Sequence, residues 1–196
     1  KPSLELFLSE ALQRRNYRGD KVEALRLLKS RLSDLEKEEI EFRNEYLAAL
    51  SETVRQINGG KESIKLLDEI PENLMSSEER LILKAKVLRK DGKTAEAIKL
   101  SKELLNIISN NTSIDSKRRS ATLLQALGLH KEALELWKNI VSPEYIGSDT
   151  FHFLDCAHRC EEIKLIIGFS EKLRANGLWN KEIFNLELNY REKYND

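Results

Sequence analysis

The sequence predicts an all-α protein, and three observations lead to that prediction. Charged residues make up 34% of the 196 positions, whereas glycine occurs 8 times and proline 3 times, a composition typical of long water-exposed helices. Apolar residues recur at three- and four-residue spacing through most of the chain. No segment alternates β-branched and polar residues between hairpin turns, as half-buried strands do. We therefore expect helices joined by short breaks, without a sheet.

The N-terminal segment predicts an amphipathic helix that ends at residues 16–19. Its expected buried face carries Leu4, Phe7, Leu8, Ala11 and Leu12. Residues 20–57 contain neither Gly nor Pro, so one long helix is possible there. The apolar stripe changes phase near DLEKEEIEF, however, which favours two helices with a tight turn around 37–39.

The remaining chain is divided by clusters of turn-forming residues into helices of roughly 9 to 18 residues. These breaks fall at 58–60, 71–77, 91–93, 110–112, 128–130, 142–148 and 176–177. Gly59 and Gly60 lack the Lys and Ser/Thr of a phosphate-binding loop and are interpreted as a turn. About 10–11 helices result, and the charge-rich segment 180–193 is predicted to be a closing helix with a solvent-facing side.

An internal repeat is the most specific feature of the sequence. KVLRKDGKTAEAIKLSKELLNI aligns with LLQALGLHKEALELWKNI, so that Gly92 matches Gly128 and Ala97 matches Ala133 at a spacing of 36 residues. YRGDKVEALRLL repeats the same phrase near the N-terminus, and GGKESIKLLDEIP is a weaker copy. A glycine that ends one helix, a short polar turn and an alanine that permits close approach of the next helix predict helical hairpins.

This pattern resembles the tetratricopeptide repeat, which pairs two antiparallel helices in about 34 residues. Ala85 and Ala121 match the small residue of the first helix, and Ala97 and Ala133 match the alanine of the second. The match is best over 78–141, and the last stretch lacks the Gly and Ala marks. The resemblance implies a single solenoid domain over 1–196, wound as a right-handed superhelix. A first residue other than Met leads us to expect a piece of a longer protein.

The resemblance also implies that the first helices of the hairpins line a concave groove in which a partner protein or peptide binds. On the helix from Glu78, the packing face is expected at Leu81, Ala85 and Leu88, with Glu79 and Ile82 turned to the groove. A locally basic groove favours an acidic peptide or a C-terminal carboxylate, because Arg and Lys make charge-assisted contacts to such groups. The candidate groove residues are Lys86, Arg89, Lys90, Arg118, Arg119, Thr122, Gln125 and His158.

Two other functions compete with the scaffold. A nucleic-acid-associated module would use a merged basic surface made of Lys84, Lys86, Arg89, Lys90, Lys93, Lys117, Arg118 and Arg119. No aromatic residues interleave with that set, and 33 basic residues against 33 acidic ones give no net charge, which argues against it. An oligomerisation segment at 20–57 is the other alternative, although only about two heptads keep one register.

The sequence predicts neither an enzyme nor a cofactor, a metal site or a small-molecule substrate. His152, Cys156 and Cys160 share one helical face, but ligands spread over two turns of one helix converge poorly on one ion, and nothing supplies an oxyanion hole. Trp137 is expected in the core and Trp179 as a cap on it. No apolar run reaches the roughly 18 residues of a membrane span. We expect a cytoplasmic protein with reduced thiols.

Overall fold

The computed structural model describes residues 4–108 and 112–194, which contain eleven α-helices, one 3₁₀ helix and no strand. The all-α prediction is confirmed for these residues. The helices are α1 (Leu4–Arg15), α2 (Asp20–Ser30), the 3₁₀ helix (Leu32–Lys37), α3 (Ile40–Asn58), α4 (Gly60–Glu69), α5 (Ser77–Lys90), α6 (Thr94–Ile107), α7 (Ile114–Ala126), α8 (His130–Trp137), α9 (Ser148–Arg159), α10 (Ile163–Ala175) and α11 (Lys181–Tyr194).

The chain divides into two compact units, residues 1–107 and 108–196, and each is described by itself. The prediction of one continuous domain over 1–196 stays a prediction. Residues 110 and 111 of the predicted break at 110–112 lie outside the described residues.

The first unit consists of the hairpins α1/α2, α3/α4 and α5/α6, in which α2 also packs on α3 and α5 packs on both α3 and α4. Its core includes Leu28, Leu35 and Leu47, none of which has exposed surface. Tyr46 is buried with them and donates its hydroxyl hydrogen to the carbonyl of Leu28 at 2.9 Å. The helix break near 37–39 is confirmed, with a 3₁₀ helix before it. Because these leucines fill the core, they are not available to pair with another chain.

The glycine and alanine marks of the repeat lie where the hairpin prediction requires them. Gly92 and Gly128 both have φ of 78° in the left-handed region, and they end α5 and α7. The amide after each glycine completes the helix end. Lys93 N–H donates to the carbonyl of Leu88, and Leu129 N–H donates to the carbonyl of Leu124, each at 2.9 Å. The repeat alanines Ala85, Ala97, Ala121 and Ala133 have no exposed surface.

The second unit consists of the hairpins α7/α8 and α9/α10, with α11 packed on α10. Trp137 is fully buried, as predicted, and the ring centroids of Phe153 and Phe169 lie 4.9 Å apart in the core. The closing helix α11 is less solvent-facing than its charge predicts. Its Glu187 is buried, and the carboxylate accepts hydrogen bonds from Arg174 at 2.6 Å and from Arg191 at 2.9 Å, which compensate for the loss of water.

Two predicted burial patterns and the capping role of Trp179 are wrong. In α1, Leu4, Phe7 and Leu8 are exposed, and Leu6 and Ser9 are buried instead. The helix is the first of its unit and packs on α2 and α3, which cover a different face from the one with most leucines.

In α5, Glu79 and Ile82 are buried rather than turned to a groove, because α5 is enclosed by α3, α4 and α6. Trp179 is 65% exposed and lies against the half-buried Phe184, with ring centroids 6.4 Å apart, so it does not cap the core.

Candidate functional site

An open apolar groove lies between α9 and α11 in the second unit, and we call it the α9/α11 groove. Its volume is about 250 Å³. The helix between them in sequence, α10, packs against both α9 and α11. The groove is lined by Phe151, Leu154, Asp155, His158, Glu182, Ile183 and Leu186.

The groove exists because α9 carries large apolar residues on two faces. Phe153 points into the core with Phe169. Phe151, Leu154 and His158 are spaced three and four residues apart, and such residues share a helical face. The helices α8 and α10 both pack on α9, but they leave its second apolar face uncovered, and this face forms a wall of the groove.

At one end of the groove, His158 contacts Tyr190 of α11. The imidazole Nδ1 forms a hydrogen bond with the tyrosine hydroxyl, and the ring centroids lie 5.7 Å apart in an edge-to-face arrangement. Both residues lie toward the carboxyl ends of their helices, and Phe151 and Ile183 near the amino-terminal ends line the same groove, so α9 and α11 run in the same direction. The opposite end of the groove lies at the amino-terminal residues Phe151 and Glu182.

The rim of the α9/α11 groove is acidic. Asp155 accepts hydrogen bonds from Gln125 Nε2 at 2.6 Å and from Arg159 Nε at 3.1 Å, so its charge is already shared. Glu182 is exposed in the first turn of α11, where the helix dipole favours a negative charge. Among the described residues that line the groove there is no lysine or arginine.

Among the predicted groove residues of α7, Arg118 and Gln125 bond to α9, whereas Arg119 and Thr122 bond within α7. Arg118 donates from Nε to both carboxylate oxygens of Asp149, at 3.0 and 2.9 Å, and its Nη2 lies 2.9 Å from Oδ2. These hydrogen bonds raise the pKa of Arg118. Arg119 forms an ion pair with Asp115 at 3.1 Å. Thr122 donates its hydroxyl hydrogen to the carbonyl of Arg118 at 2.9 Å.

The remaining predicted residues, Lys86, Arg89 and Lys90, lie on α5 in the first unit. The Arg89 side chain is exposed and makes no hydrogen bond or ion pair within the described part of the chain, whereas Lys86 is half-buried and engaged in an interaction. Lys90 Nζ lies 3.0 Å from the Glu52 carboxylate. Burial raises the pKa of Glu52, but hydrogen bonds from Arg55, Gln56 and Lys90 outweigh that effect and lower it to about 2.

The basic surface of the nucleic-acid alternative is largely neutralised by neighbouring carboxylates. Lys84 pairs with Asp68, Lys90 with Glu52, and Lys93 with Glu96. The two arginines of α7 are paired as described above. Binding to nucleic acid depends on cations that are free to neutralise phosphates and displace the counterions of the nucleic acid, so cations already paired with carboxylates contribute little to it.

The His and Cys residues of α9 have structural surroundings. His152 stacks on buried Trp137, with ring centroids 5.4 Å apart and an interplanar angle of 5°, and its Nδ1 lies 3.2 Å from Gln125 Oε1. Burial raises the pKa of the Cys156 thiol to about 12, so this thiol stays protonated and weakly nucleophilic at neutral pH. Within residues 4–108 and 112–194, no group of three His, Cys, Asp or Glu side chains is arranged to hold a metal ion.

The sequence interpretation placed His158 at a groove but missed its apolar walls, Phe151, Leu154, Ile183 and Leu186. A signal was available in FHFLDCAHRC, where apolar residues occur on two faces of one helix. Apolar residues on two faces of one helix indicate that a second face, besides the one in the core, can take part in contacts.

No family model and no curated protein matches the chain. A crystal structure of a single-residue variant of a kinesin light chain from Podosopora anserina, with nearly identical TPR-like repeats, is 16% identical and has a TM-score of 0.50. The match covers 88% of this chain and 92% of that chain. Another structure of these repeats is 17% identical with a TM-score of 0.48, covering 90% and 96% of the two chains. The MamA RS-1 ArsTM double mutant is 16% identical with a TM-score of 0.46, covering 90% and 97%.

At such low identity the likeness concerns the fold alone. The structure with a TM-score of 0.50 confirms that the predicted resemblance to TPR-like helical repeats holds for the fold.

Proposed function

We propose that the chain is a protein-interaction scaffold that binds a segment of a partner protein, with the α9/α11 groove as the main contact. The observation that carries the proposal is an apolar groove of about 250 Å³ left open at the surface between two helices. Exposed apolar grooves rimmed by polar residues mark interaction sites, and helical grooves receive apolar side chains of a partner.

The size of the groove favours a side chain of a partner over a free small molecule. Small-molecule sites are typically about 300 to 1,000 Å³ and enclose most of the ligand. A groove of about 250 Å³ that opens to solvent suits one large side chain, while the rest of the partner lies on the rim.

Catalysis is not part of the proposal. The thiol of Cys156 is buried and protonated at neutral pH, and the imidazole of His152 is held between Trp137 and Gln125. Neither group is set up as a nucleophile or a general base.

The acidic-partner hypothesis is narrowed to the first unit. Arg118 forms an ion pair with Asp149, and Arg119 forms one with Asp115. Arg89 is therefore the exposed residue best suited to bind a carboxylate of the partner. We retain Arg89 and its neighbour Lys86 as a proposed acidic-segment contact. Replacement Arg89→Glu should weaken binding of an acidic partner, and Lys102→Glu on α6 is the matched control. Unchanged affinity in the first variant contradicts this part of the proposal.

A photo-crosslinking experiment tests the proposed function. p-Benzoylphenylalanine replaces Phe151 at the groove rim or, as a control, the exposed Tyr145 outside the groove. We expect the probe at Phe151 to crosslink a specific partner in cells that the probe at Tyr145 does not. The purified partner should then bind the purified chain, and Leu186→Ala should weaken that binding. Identical crosslinks from both positions, or no effect of Leu186→Ala, would refute the proposal.

The described residues contain no helix that is both long and apolar enough to cross a bilayer. The cytoplasmic location and the origin in a longer protein stay predictions.

A further inference from the structure

We propose that the α9/α11 groove recognises a segment with one large apolar anchor residue and a neighbouring Lys or Arg. This inference rests on the proposed function and specifies the chemistry of the partner. It differs from the acidic partner predicted for the basic residues of α5, because it concerns a different surface with a different charge.

The apolar anchor follows from the walls of the groove. Leu154 and Ile183 are buried and form its floor, and Phe151 stands at the edge with 37% of its surface exposed. His158 and Tyr190 contact each other 32 residues apart in sequence, near the carboxyl ends of parallel helices. Equal rise along both helices then puts Phe151 level with Ile183, and Leu154 level with Leu186. An aliphatic or aromatic side chain inserted between these two pairs is surrounded by carbon atoms.

The basic neighbour follows from the charges that face the groove. Asp155 and Glu182 are the charged residues in its lining, and both are acidic. Asp155 already accepts hydrogen bonds from Arg159 and Gln125. Glu182 is exposed, and its carboxylate forms no ion pair in the described chain. A carboxylate on the partner near Glu182 would be repelled, and an ammonium or guanidinium group would be attracted.

The position of Glu182 also orients the partner. It lies in the first turn of α11 at the amino-terminal end of the groove, opposite the contact between His158 and Tyr190. We therefore place the Lys or Arg of the partner at the amino-terminal end of α9 and α11, with the apolar anchor between Phe151 and Leu186.

A random 12-residue peptide library displayed on phage and selected on the folded 196-residue chain tests the inference. We expect the enriched sequences to carry a large apolar residue with Lys or Arg close to it. An enriched peptide, synthesised with a fluorescent label, should lose about tenfold or more in affinity for Phe151→Ala and about fivefold or more for Glu182→Lys. Circular dichroism verifies that each variant is folded.

Matched controls distinguish binding in the groove from nonspecific binding to exposed aromatic or charged residues. Tyr145→Ala removes an exposed aromatic residue outside the groove, and Glu192→Lys reverses a charge on α11 away from the lining. Both controls should stay within about twofold of the unaltered chain.

The outcomes that overturn the inference are distinct from failure of the proposed function. Enriched peptides that are acidic or uncharged, or binding that is insensitive to Phe151→Ala and Glu182→Lys, overturn the inferred chemistry and leave a segment-binding scaffold in place. A selection that enriches no common sequence overturns the inference as well. The proposed function is then decided separately, by the crosslinks from Phe151.

Discussion

Replacement of Glu161 by glycine should stabilise the second unit. Glu161 has φ of 58°, in the left-handed region that L-residues adopt at a cost, and it lies in the turn between α9 and α10. The following amide, Glu162 N–H, donates to the carbonyl of Ala157 at 2.9 Å. This is the helix-ending bond found after Gly128, whose φ is 78°. Glu161 thus occupies a turn position that glycine occupies in the preceding hairpin.

The size of the effect follows from two opposing contributions. A left-handed backbone costs an L-residue roughly 1 to 2 kcal/mol, and Glu161→Gly removes that cost. Glycine makes the unfolded chain more flexible, which opposes folding by roughly 0.5 to 1 kcal/mol. The Glu161 side chain is exposed and forms no hydrogen bond or ion pair with the described residues, so no contact is lost. The expected net gain in the free energy of unfolding is about 0.5 to 1 kcal/mol.

Urea unfolding followed by tryptophan fluorescence measures this gain, because both tryptophans, Trp137 and Trp179, lie in the second unit. The unfolding midpoint of Glu161→Gly should rise by about 0.3 to 0.5 M. Two controls fix the sign of the effect. Gly128→Ala has open space around its new Cβ, so the positive φ alone should lower stability by about 1 kcal/mol. Glu162→Gly, at a φ of −82°, should not stabilise. An unchanged or lower midpoint for Glu161→Gly, with Gly128→Ala destabilised as expected, would contradict the reasoning.

Three further substitutions test the packing and the charges. Gly60→Ala should lower the free energy of unfolding by about 1 to 2 kcal/mol, because the new Cβ would lie 1.8 Å from Asp91 Oδ2. Urea unfolding followed by circular dichroism measures this loss. Unchanged stability would show that the Asp91 carboxylate moves away freely. Glu52 has a pKa of about 2 against an ordinary value of 4.5, so its contribution of about 2 to 3 kcal/mol is present above pH 4.5 and is lost as the pH falls toward 2. Glu52→Gln should flatten this acid dependence and the exposed control Glu45→Gln should not; equal curves for both would speak against the assignment. Ala133→Leu should lower the free energy of unfolding by about 1 to 3 kcal/mol, because Ala133 has no exposed surface and the larger side chain has no space. The shift of the urea midpoint measures this loss. An unchanged midpoint would mean that α7 and α8 do not meet at this alanine.

The candidate site illustrates how far local patterns reach. The predicted stripe on α7 contains Arg118 and Gln125, and both side chains bond to residues of α9. Their partners, Asp149 and Asp155, lie about 30 residues away, and periodicity within one helix holds no information on them. Arg118, predicted to be a free cation of the groove, is therefore paired with an aspartate of the neighbouring helix. The charge of a surface depends on which helices meet, and that is decided by tertiary packing.

The sequence by itself determined the class, the hairpins and most helix ends. Gly92 and Gly128 mark turns because only glycine adopts a positive φ without steric cost, and Ala97 and Ala133 mark helix contacts because a small side chain permits close approach. These are local requirements, so they are visible in local sequence. Glu161 adopts the same turn without a glycine, and its turn was not marked in the sequence.

Only the tertiary structure decided which apolar faces are covered. Phe7 on α1 and Phe151 on α9 lie on apolar stripes like those of the core helices, yet both are exposed, because the neighbouring helices pack on other faces. A hydrophobic stripe predicts that a face favours burial, but whether another helix covers it depends on contacts between residues far apart in the chain. The α9/α11 groove is such a face, and the packing of α10 on the other side of α9 leaves it open.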